Sequence, residues 1–310
     1  MRYGISKLVL GFPGFIQIDE AEYMLIKNAR NNLFEILFLE EKLDLVIENF
    51  YEYETELLSA ASRMMVFHNA DDQSMSRERN LVSRRIVNLL SAGRMYLDQS
   101  IQHVENMYGA DSDKLDLVKK EIVFQYDHSL GYRVMEALRN YVQHRGFPIH
   151  SMVFSHQRVG ADPDFQWLNR VIPIISVSAL EEDGKFKKSI LAELNEIQNN
   201  NRVDAKPLIR QYIEGIGKIH EKARQIIRPD LVNWEKVLDD TIAKFQSEFG
   251  NDVLLAGLAV VAEQDDGQWE EKVTIFKEFI ERMKVLEKKN RYFSNLHKRY
   301  ASNEIRENDA

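Results

Sequence analysis

Cysteine is absent from the 310-residue sequence. Its absence excludes disulfide scaffolds, cysteine-based zinc sites and thiol nucleophiles, because each of these requires a cysteine side chain. Proline is scarce, with six residues, and 44% of the residues are hydrophobic. Both properties exclude a mainly disordered chain and predict a globular protein, long enough for one large domain or two ordinary ones.

Long apolar runs are missing as well. No window approaches the roughly 18 consecutive apolar residues from which a transmembrane helix is predicted. The apolar run at residues 8–10 is broken by glycine and proline, and it is shorter than the apolar region of a secretory signal peptide. We therefore expect no membrane contact and a cytoplasmic location.

Positive charge is not in excess. The chain has 49 acidic and 41 basic residues, which gives a net charge of −8. Proteins that coat duplex nucleic acid without sequence preference usually show the opposite balance. The composition thus argues against RNA binding over the whole surface, but it allows a local basic site.

Several common motifs of enzymes are also missing. The sequence contains no Walker phosphate loop, no GxGxxG after a strand, no HExxH and no GxSxG. Its eight histidines are scattered. For His150 and His156, beside one predicted strand, we weigh metal ligation against a place as partly exposed polar residues at a sheet edge, and favour the second. No metal and no other cofactor is predicted.

Apolar residues with helical spacing dominate the first half of the chain. The predicted helices span residues 21–68, as one helix or as two with a break near residue 40, then 74–108, 111–125 and 129–145. Four antiparallel helices joined by short loops form a bundle. A short extended arm or hairpin, residues 7–18, precedes them.

Strand and helix signals are mixed in the second half. Extended segments are predicted at residues 149–159 and at 171–177 around Pro173, which requires an edge or bulge. Residues 253–262 are predicted as a buried strand, although periodicity alone does not distinguish it from a short buried helix. Helices are predicted at 185–200, 205–227, 231–249 and 269–298. We therefore predict a mostly α fold with an N-terminal helical bundle over residues 1–148. Residues 149–310 form a helical region with a small sheet, which could serve as a sensor, a dimerisation unit or an RNA-selecting surface.

Residues 135–149 combine side chains suited to phosphate chemistry at the end of a predicted buried helix. Arg139 is followed directly by Asn140, and His144 comes five residues after Arg139. Four of the eight histidines have an arginine five or six positions upstream, so the spacing alone is unspecific. Among these four arginines, asparagine follows only Arg139.

This stretch resembles the signature of the HEPN family (higher eukaryotes and prokaryotes nucleotide-binding domain). The family signature is an arginine, a spacer of four to six residues and a histidine, with a polar residue, often asparagine, directly after the arginine. Residues 139–144 have this form and lie late in the predicted bundle, as they do in the family. The resemblance covers roughly residues 20–150 and does not extend to residues 150–310.

The resemblance implies a metal-independent endoribonuclease, of a type found in RNA-cleaving toxins, abortive-infection proteins and RNA-guided effectors. In this reaction the ribose 2′-OH attacks the neighbouring phosphorus and leaves a 2′,3′-cyclic phosphate and a 5′-OH. A histidine transfers protons near neutral pH, and an arginine stabilises the phosphorane oxygens. The expected catalytic residues are Arg139, Asn140, which would orient the histidine or the phosphate, and His144.

A second copy of the chain is expected to complete the site. Asn140 and His144 are one helical turn apart and share a face, whereas Arg139 lies about 140° around the helix from His144. HEPN ribonucleases commonly dimerise so that two motifs face each other. The resemblance therefore implies a homodimer whose composite site holds two copies of Arg139 and of His144. An antitoxin or a sensor protein is a further expected partner.

RNA contacts are predicted beyond the motif. Arg84 and Arg85 belong to an arginine-rich helix that would line an RNA groove, or would instead pair with acidic residues of the first long helix, such as Glu40 and Glu41. Tyr141 could stack on a base or lie in the core. Arg145 completes the predicted RNA-binding set.

A non-catalytic alternative stays open. Arg139 could pair with Glu136 one turn earlier, while a protonated His144 would be favourable at the helix C-terminus. The chain would then be a helical interaction or regulatory protein that keeps the HEPN fold without cleavage.

Overall fold

The computed structural model describes residues 1–67, 71–265 and 267–301. This part of the chain is mostly helical with small antiparallel sheets, as predicted. The helices are α1 (Glu20–Phe67), α2 (Asp72–Tyr108), α3 (Asp113–His128), α4 (Leu130–His144), α5 (Val177–Glu182), α6 (Lys188–Ile197), α7 (Ala205–Phe249) and α8 (Glu278–Lys289). The strands are β1 (Arg2–Lys7), β2 (Phe15–Ile18), β3 (Ser151–Val159), β4 (Gln166–Ser176), β5 (Arg202–Asp204), β6 (Leu258–Glu263) and β7 (Trp269–Thr274). Within these ranges, no helix has the combination of length and apolar character that a membrane crossing would need.

Backbone packing divides the chain into two compact units, each built from three chain segments. The first unit contains residues 1–41, 99–117 and 222–289, and the second contains the described residues of 42–98, 118–221 and 290–310. This division does not follow the predicted boundary after residue 148. That residues 1–148 and 149–310 are separate domains stays a prediction.

The first unit contains a four-stranded antiparallel sheet in the order β2–β1–β6–β7. Strands β1 and β2 form a hairpin, which is one of the two alternatives predicted for residues 7–18, although β1 begins earlier, at Arg2. Buried β6 overlaps the second half of the segment predicted at 253–262. The helix predicted over residues 269–298 is wrong at its start, because β7 pairs with β6 there. Side chains of β7 alternate between more and less exposed positions, as expected for a strand. The backbone pairing of β7 with β6 outweighs the local preference of these residues for a helix.

Long helices follow the apolar spacing closely. Helix α1 is continuous, so the alternative break near residue 40 is absent. Helix α7 is also continuous through Pro229, and the two separate helices predicted at 205–227 and 231–249 are wrong. Proline removes one backbone hydrogen bond, but Ala223, Ile227 and Leu231 repeat every four residues and are all buried. Packing on both sides of Pro229 therefore keeps the helix continuous.

The second unit contains a three-stranded antiparallel sheet in the order β3–β4–β5. Strand β4 pairs with β3 from Gln166 to Ile174 but with β5 only over Ile174–Ser176. Pro173 therefore lies in the middle strand, immediately beyond the ladder with β5. A proline is tolerated at such a position because it has no N–H group to donate.

Helix α4 packs tightly against the part of α7 that lies in the same unit. The Gly131 backbone N–H donates to Gln211 Oε1 at 3.0 Å. A Cβ atom at Gly131 would lie 2.4 Å from the Leu208 carbonyl oxygen, and one at Gly215 would lie 2.7 Å from the Tyr132 ring. The absence of a side chain at both glycines thus allows the close approach that fixes the orientation of α4.

Candidate functional site

Helix α4 carries the Arg–Asn–His motif and has defined ends. The Ser129 hydroxyl caps its first turn by accepting a hydrogen bond from the Tyr132 backbone N–H at 3.2 Å. At the other end, the Arg145 N–H donates to the Tyr141 carbonyl at 2.9 Å. A Cβ atom at Gly146 would lie 2.5 Å from the Tyr141 hydroxyl oxygen. Glycine therefore lets the chain turn against the tyrosine, two residues after His144.

A cavity of about 470 Å³ opens beside α4. Four of the predicted site residues line it, namely Arg139, Asn140, Tyr141 and Arg145. Sequence reasoning missed three further cations and two aromatic residues in the lining, which are Arg94, Lys185, Lys187, Tyr126 and Phe186. The structure thus extends the predicted site into a basic cavity with an aromatic wall.

Three predicted site residues do not line this cavity. His144 is the last residue of α4 and is exposed, and its side chain makes no hydrogen bond within the described part of the chain. Arg84 is exposed, and Arg85 is half-buried on α2. The structure therefore places Arg139 and Asn140 at the cavity and His144 outside it.

Arg139 has hydrogen-bonding capacity that its neighbours leave unused. One guanidinium nitrogen, Nη1, donates to Asn140 Oδ1 at 3.3 Å. Its buried Nε has no hydrogen-bond partner among residues 1–67, 71–265 and 267–301. A buried donor without a partner is costly, and here it lies in a side chain that lines an open cavity.

Glu136 borders the cavity but is held by other residues. Its Oε1 accepts a hydrogen bond from the Tyr212 hydroxyl at 3.1 Å, and its Oε2 lies 3.6 Å from Arg94 Nη1. Burial raises the pKa of the Glu136 carboxyl, although Tyr212, Arg94 and Arg139 act in the opposite direction. The predicted alternative, a close ion pair between Arg139 and Glu136, is not found among the described contacts.

Tyr141 forms part of the cavity wall. Its side chain is buried, its hydroxyl lies 3.4 Å from His150 Nε2, and its ring meets Phe186 edge-on. Burial raises the pKa of the Tyr141 hydroxyl. A role in stacking on RNA bases therefore requires access through the cavity.

The histidines considered for metal binding have other partners. His150 Nδ1 accepts a hydrogen bond from the Ser176 backbone N–H at 3.1 Å, and burial lowers the pKa of this imidazole. His156 contacts Asn169 Oδ1 at 2.7 Å and stacks on Trp167. In the described ranges, no group of three or more histidine and acidic side chains is arranged to hold a metal ion.

The turn before α6 forms the opposite side of the cavity. Asp183 Oδ2 accepts a hydrogen bond from Arg145 Nη1 at 2.6 Å and lies 3.3 Å from the Lys185 backbone nitrogen. Lys187 Nζ donates to the Tyr126 hydroxyl at 3.0 Å and lies 5.3 Å from the centroid of the same ring. The side chains of Lys185 and Lys187 remain exposed.

Charge at the cavity is predominantly positive. Five lining residues are cationic, whereas Glu136 is the one carboxylate in the lining. Arg94 and Arg145 also pair with carboxylates beside the cavity, Asp98 and Asp183. The five cations and these three carboxylates together give the cavity a net charge of +2. Such a site favours an anion, and a phosphate group in particular.

The arginine-rich helix α2 is largely engaged with α1 in the second unit. Arg85 forms an ion pair with Glu52, and Arg63 of α1 is bonded to Glu56 and to Glu78 of α2. The suggested partners Glu40 and Glu41 instead pair with Arg224 and Arg282 in the first unit. Arg85 is thus in a salt bridge with an acidic residue of α1, which is Glu52 and not Glu40 or Glu41. Arg84 remains exposed.

Two other arginine–histidine pairs with a similar spacing, Arg63/His68 and Arg291/His297, are alternatives for a second motif within the chain. Arg63 is held by two carboxylates, and His68 lies outside the described residues. His297 Nδ1 lies 3.0 Å from Glu214 Oε2. Carboxylates thus engage Arg63 of the first pair and His297 of the second.

The chain matches no protein-family model, no curated protein and no solved structure. The resemblance to the HEPN family therefore rests on residues 139–144 and on their place in a helical protein. Functional inference must come from the chemistry of the cavity and of α4.

Proposed function

We propose that this protein is a metal-independent endoribonuclease of the HEPN type, with an active site completed by a second copy of the chain. One observation carries the proposal. Arg139 and Asn140 line a cationic cavity, while His144 is exposed at the end of the same helix. Arg139 and Asn140 are suited to holding a phosphate and His144 to transferring a proton, but on one copy they lie at different places.

The proposed reaction uses the three motif residues in distinct roles. His144 accepts the proton of the ribose 2′-OH, or donates one to the leaving oxygen. The O2′–P bond forms as the P–O5′ bond breaks, which gives a 2′,3′-cyclic phosphate and a 5′-OH. Arg139 stabilises the additional negative charge on the phosphorane oxygens. Asn140, which accepts a hydrogen bond from Arg139, orients the guanidinium or the phosphate.

The separation of these residues supports a homodimer. Because His144 does not line the cavity of its own copy, the phosphate bound there would meet His144 of the other copy. Two-fold symmetry then produces two equivalent arrangements from one interface. RNA cleavage of this kind suits a toxin or a phage-defence effector, which would be controlled by an antitoxin or a sensor protein.

RNA cleavage in EDTA tests the proposal. We expect fragments with 2′,3′-cyclic phosphate ends, and a rate that His144→Ala lowers by roughly 10²–10⁴-fold, the usual contribution of a general acid or base. Gln143→Ala, which changes an exposed neighbour on the same helix turn, is the matched control and should leave the rate unchanged. Cleavage that survives His144→Ala would contradict the site, and cleavage abolished by EDTA would contradict the mechanism.

Complementation tests the composite site. Arg139→Ala and His144→Ala proteins, each inactive alone, are mixed in equal amounts. Half of the dimers then contain one copy of each variant, and each such heterodimer has one intact site out of two. About a quarter of the wild-type activity should therefore return. No recovery in a mixture that exchanges subunits would show that Arg139 and His144 act within one copy.

A non-catalytic regulatory role is the second candidate. It is favoured by the position of His144 outside the cavity, which leaves the bound phosphate without a proton-transfer group in a single copy. In this case the purified protein would cut no RNA and its expression would cause no growth defect.

A further inference from the structure

The proposed cleavage reaction leaves one side of the cavity unexplained. Lys185, Phe186 and Lys187 lie on the turn before α6, and Tyr126 lies on α3. None of them belongs to the Arg–Asn–His motif. Their side chains nevertheless border the same space as Arg139.

The charge balance indicates the type of anion. Two positive charges remain at the cavity after its neighbouring carboxylates are counted. An internal phosphodiester of RNA carries one negative charge, whereas a terminal phosphate carries about −1.5 to −2 at neutral pH. The cavity therefore complements a terminal phosphate better than an internal one.

The three cations best placed for this phosphate have no carboxylate bonded to their charged groups. Arg139 bonds to Asn140, and Lys187 bonds to the Tyr126 hydroxyl. Lys185 makes no side-chain hydrogen bond or ion pair within the described residues. The ten-residue helix α6 begins directly after Lys187 without a side-chain cap. Its N-terminus carries partial positive charge, which attracts an anion in addition to these three cations.

The size of the cavity exceeds what a phosphate alone would fill. About 470 Å³ lies within the range of sites for small organic ligands, roughly 300–1,000 Å³. The rings of Tyr126, Tyr141 and Phe186 provide apolar surface beside the cations. This combination suits a phosphate attached to a flat or sugar-like group.

We propose that the cavity binds one nucleotide unit with a terminal phosphate, held by Arg139, Lys185 and Lys187, with its nucleoside against Tyr126 and Phe186. The unit comes from a free nucleoside monophosphate or from the phosphorylated end of an RNA. Binding does not depend on cleavage, but it shares Arg139 with the proposed function, so the nucleotide and an RNA substrate compete.

Titration calorimetry with AMP, adenosine and inorganic phosphate tests the ligand class. We expect AMP to bind at least tenfold more tightly than either fragment, because only AMP reaches both the cations and the rings. The Lys185→Ala/Lys187→Ala variant should lose at least tenfold in AMP affinity. Lys188→Ala changes an adjacent exposed lysine that does not line the cavity, so it should retain the affinity. Equal AMP binding by the two variants, or equal binding of AMP and adenosine, would overturn the inference.

Two RNA oligonucleotides of one sequence, with either a 5′-phosphate or a 5′-OH, distinguish the sources of the ligand. The measurement uses the His144→Ala protein, which should not cut them. Tighter binding of the phosphorylated RNA identifies an RNA end, whereas AMP binding without this preference identifies a free nucleotide. If neither AMP nor the 5′-phosphate contributes to binding, the site assignment is wrong.

The outcomes separate this inference from the proposed function. AMP binding by a protein that cuts no RNA supports the nucleotide site and removes the endoribonuclease. RNA cleavage by a protein that binds no AMP supports the endoribonuclease and rejects the nucleotide site. Lys185 and Lys187 are exposed, and an unchanged unfolding temperature of their double variant excludes loss of fold as the cause of weaker binding.

Discussion

The guanidinium of Arg145 is bonded to the carboxylate of Asp183, with 2.6 Å between Nη1 and Oδ2. Asp183 Oδ2 also lies 3.3 Å from the Lys185 backbone nitrogen. This carboxylate therefore connects the end of α4 to the turn that carries the cavity lysines. Arg145, predicted as an RNA contact, has a positioning role visible in its contacts.

Loss of this ion pair should have a small, measurable effect on stability. Arg145 and Asp183 are partly exposed to solvent, and exposed ion pairs couple by about 0.2–1 kcal/mol. A double-mutant cycle of Arg145→Ala and Asp183→Ala, followed by urea unfolding, should give a coupling energy in that range. Strictly additive single effects would show that the contact contributes nothing to the free energy of unfolding.

Glu136→Gln should change how stability depends on pH. Burial raises the pKa of Glu136 in the folded protein, so its contribution to stability is complete below the unfolded pKa of about 4.3 and is lost as pH rises through the folded value. Glutamine does not titrate. The unfolding temperature of the variant, relative to wild type, should therefore increase from about pH 4 to about pH 8.

The control for this measurement is Glu182→Gln, which changes an exposed carboxylate at the end of α5. Its unfolding temperature relative to wild type should depend little on pH. A relative stability of Glu136→Gln that falls with rising pH would mean that the pairing with Arg94 and Tyr212 outweighs burial.

Gly131→Ala should destabilise the protein, although it lies in the first turn of a helix. Helix propensity alone predicts a gain of up to about 1 kcal/mol from this change. The new Cβ would lie 2.4 Å from the Leu208 carbonyl oxygen, which is backbone and cannot turn away. We expect a loss of about 1–3 kcal/mol in the free energy of unfolding, as for other overpacked sites.

Denaturant unfolding measures this loss, with Gln143→Ala on the exposed face of the same helix as the comparison. If Gly131→Ala is as stable as wild type or more stable, the close packing of α4 against α7 is not a constraint on the fold.

The predictability of the fold varied with the range of the interactions involved. Helices α1 and α2 were predicted to within a few residues, because their apolar spacing is regular and uninterrupted. Strand β7 was missed because its pairing with β6 decides its conformation. Helix α7 was wrongly divided because Pro229 is a local break signal, whereas the packing around it is tertiary.

Of the residues that line the cavity, those at the end of α4 were predicted and those on the turn before α6 were not. Arg139, Asn140, Tyr141 and Arg145 were found because they are close together in sequence and line one cavity. Lys185 and Lys187 lie at least 40 residues away and belong to no motif. The available signal was the alternation of lysine and phenylalanine at the start of the helix predicted over residues 185–200, and it becomes meaningful only beside Arg139.

The sequence by itself determined the long helices, the motif near the end of one of them, and the glycine that turns the chain after His144, because each depends on neighbours within a few residues. Tertiary structure alone decided which side chains share the cavity. Packing of Gly131 and Leu138 fixes the rotation of α4. That rotation places Arg139 and Asn140 at the cavity. His144 lies on the same face as Asn140 but one turn further along, at the last residue of α4, and does not line the cavity.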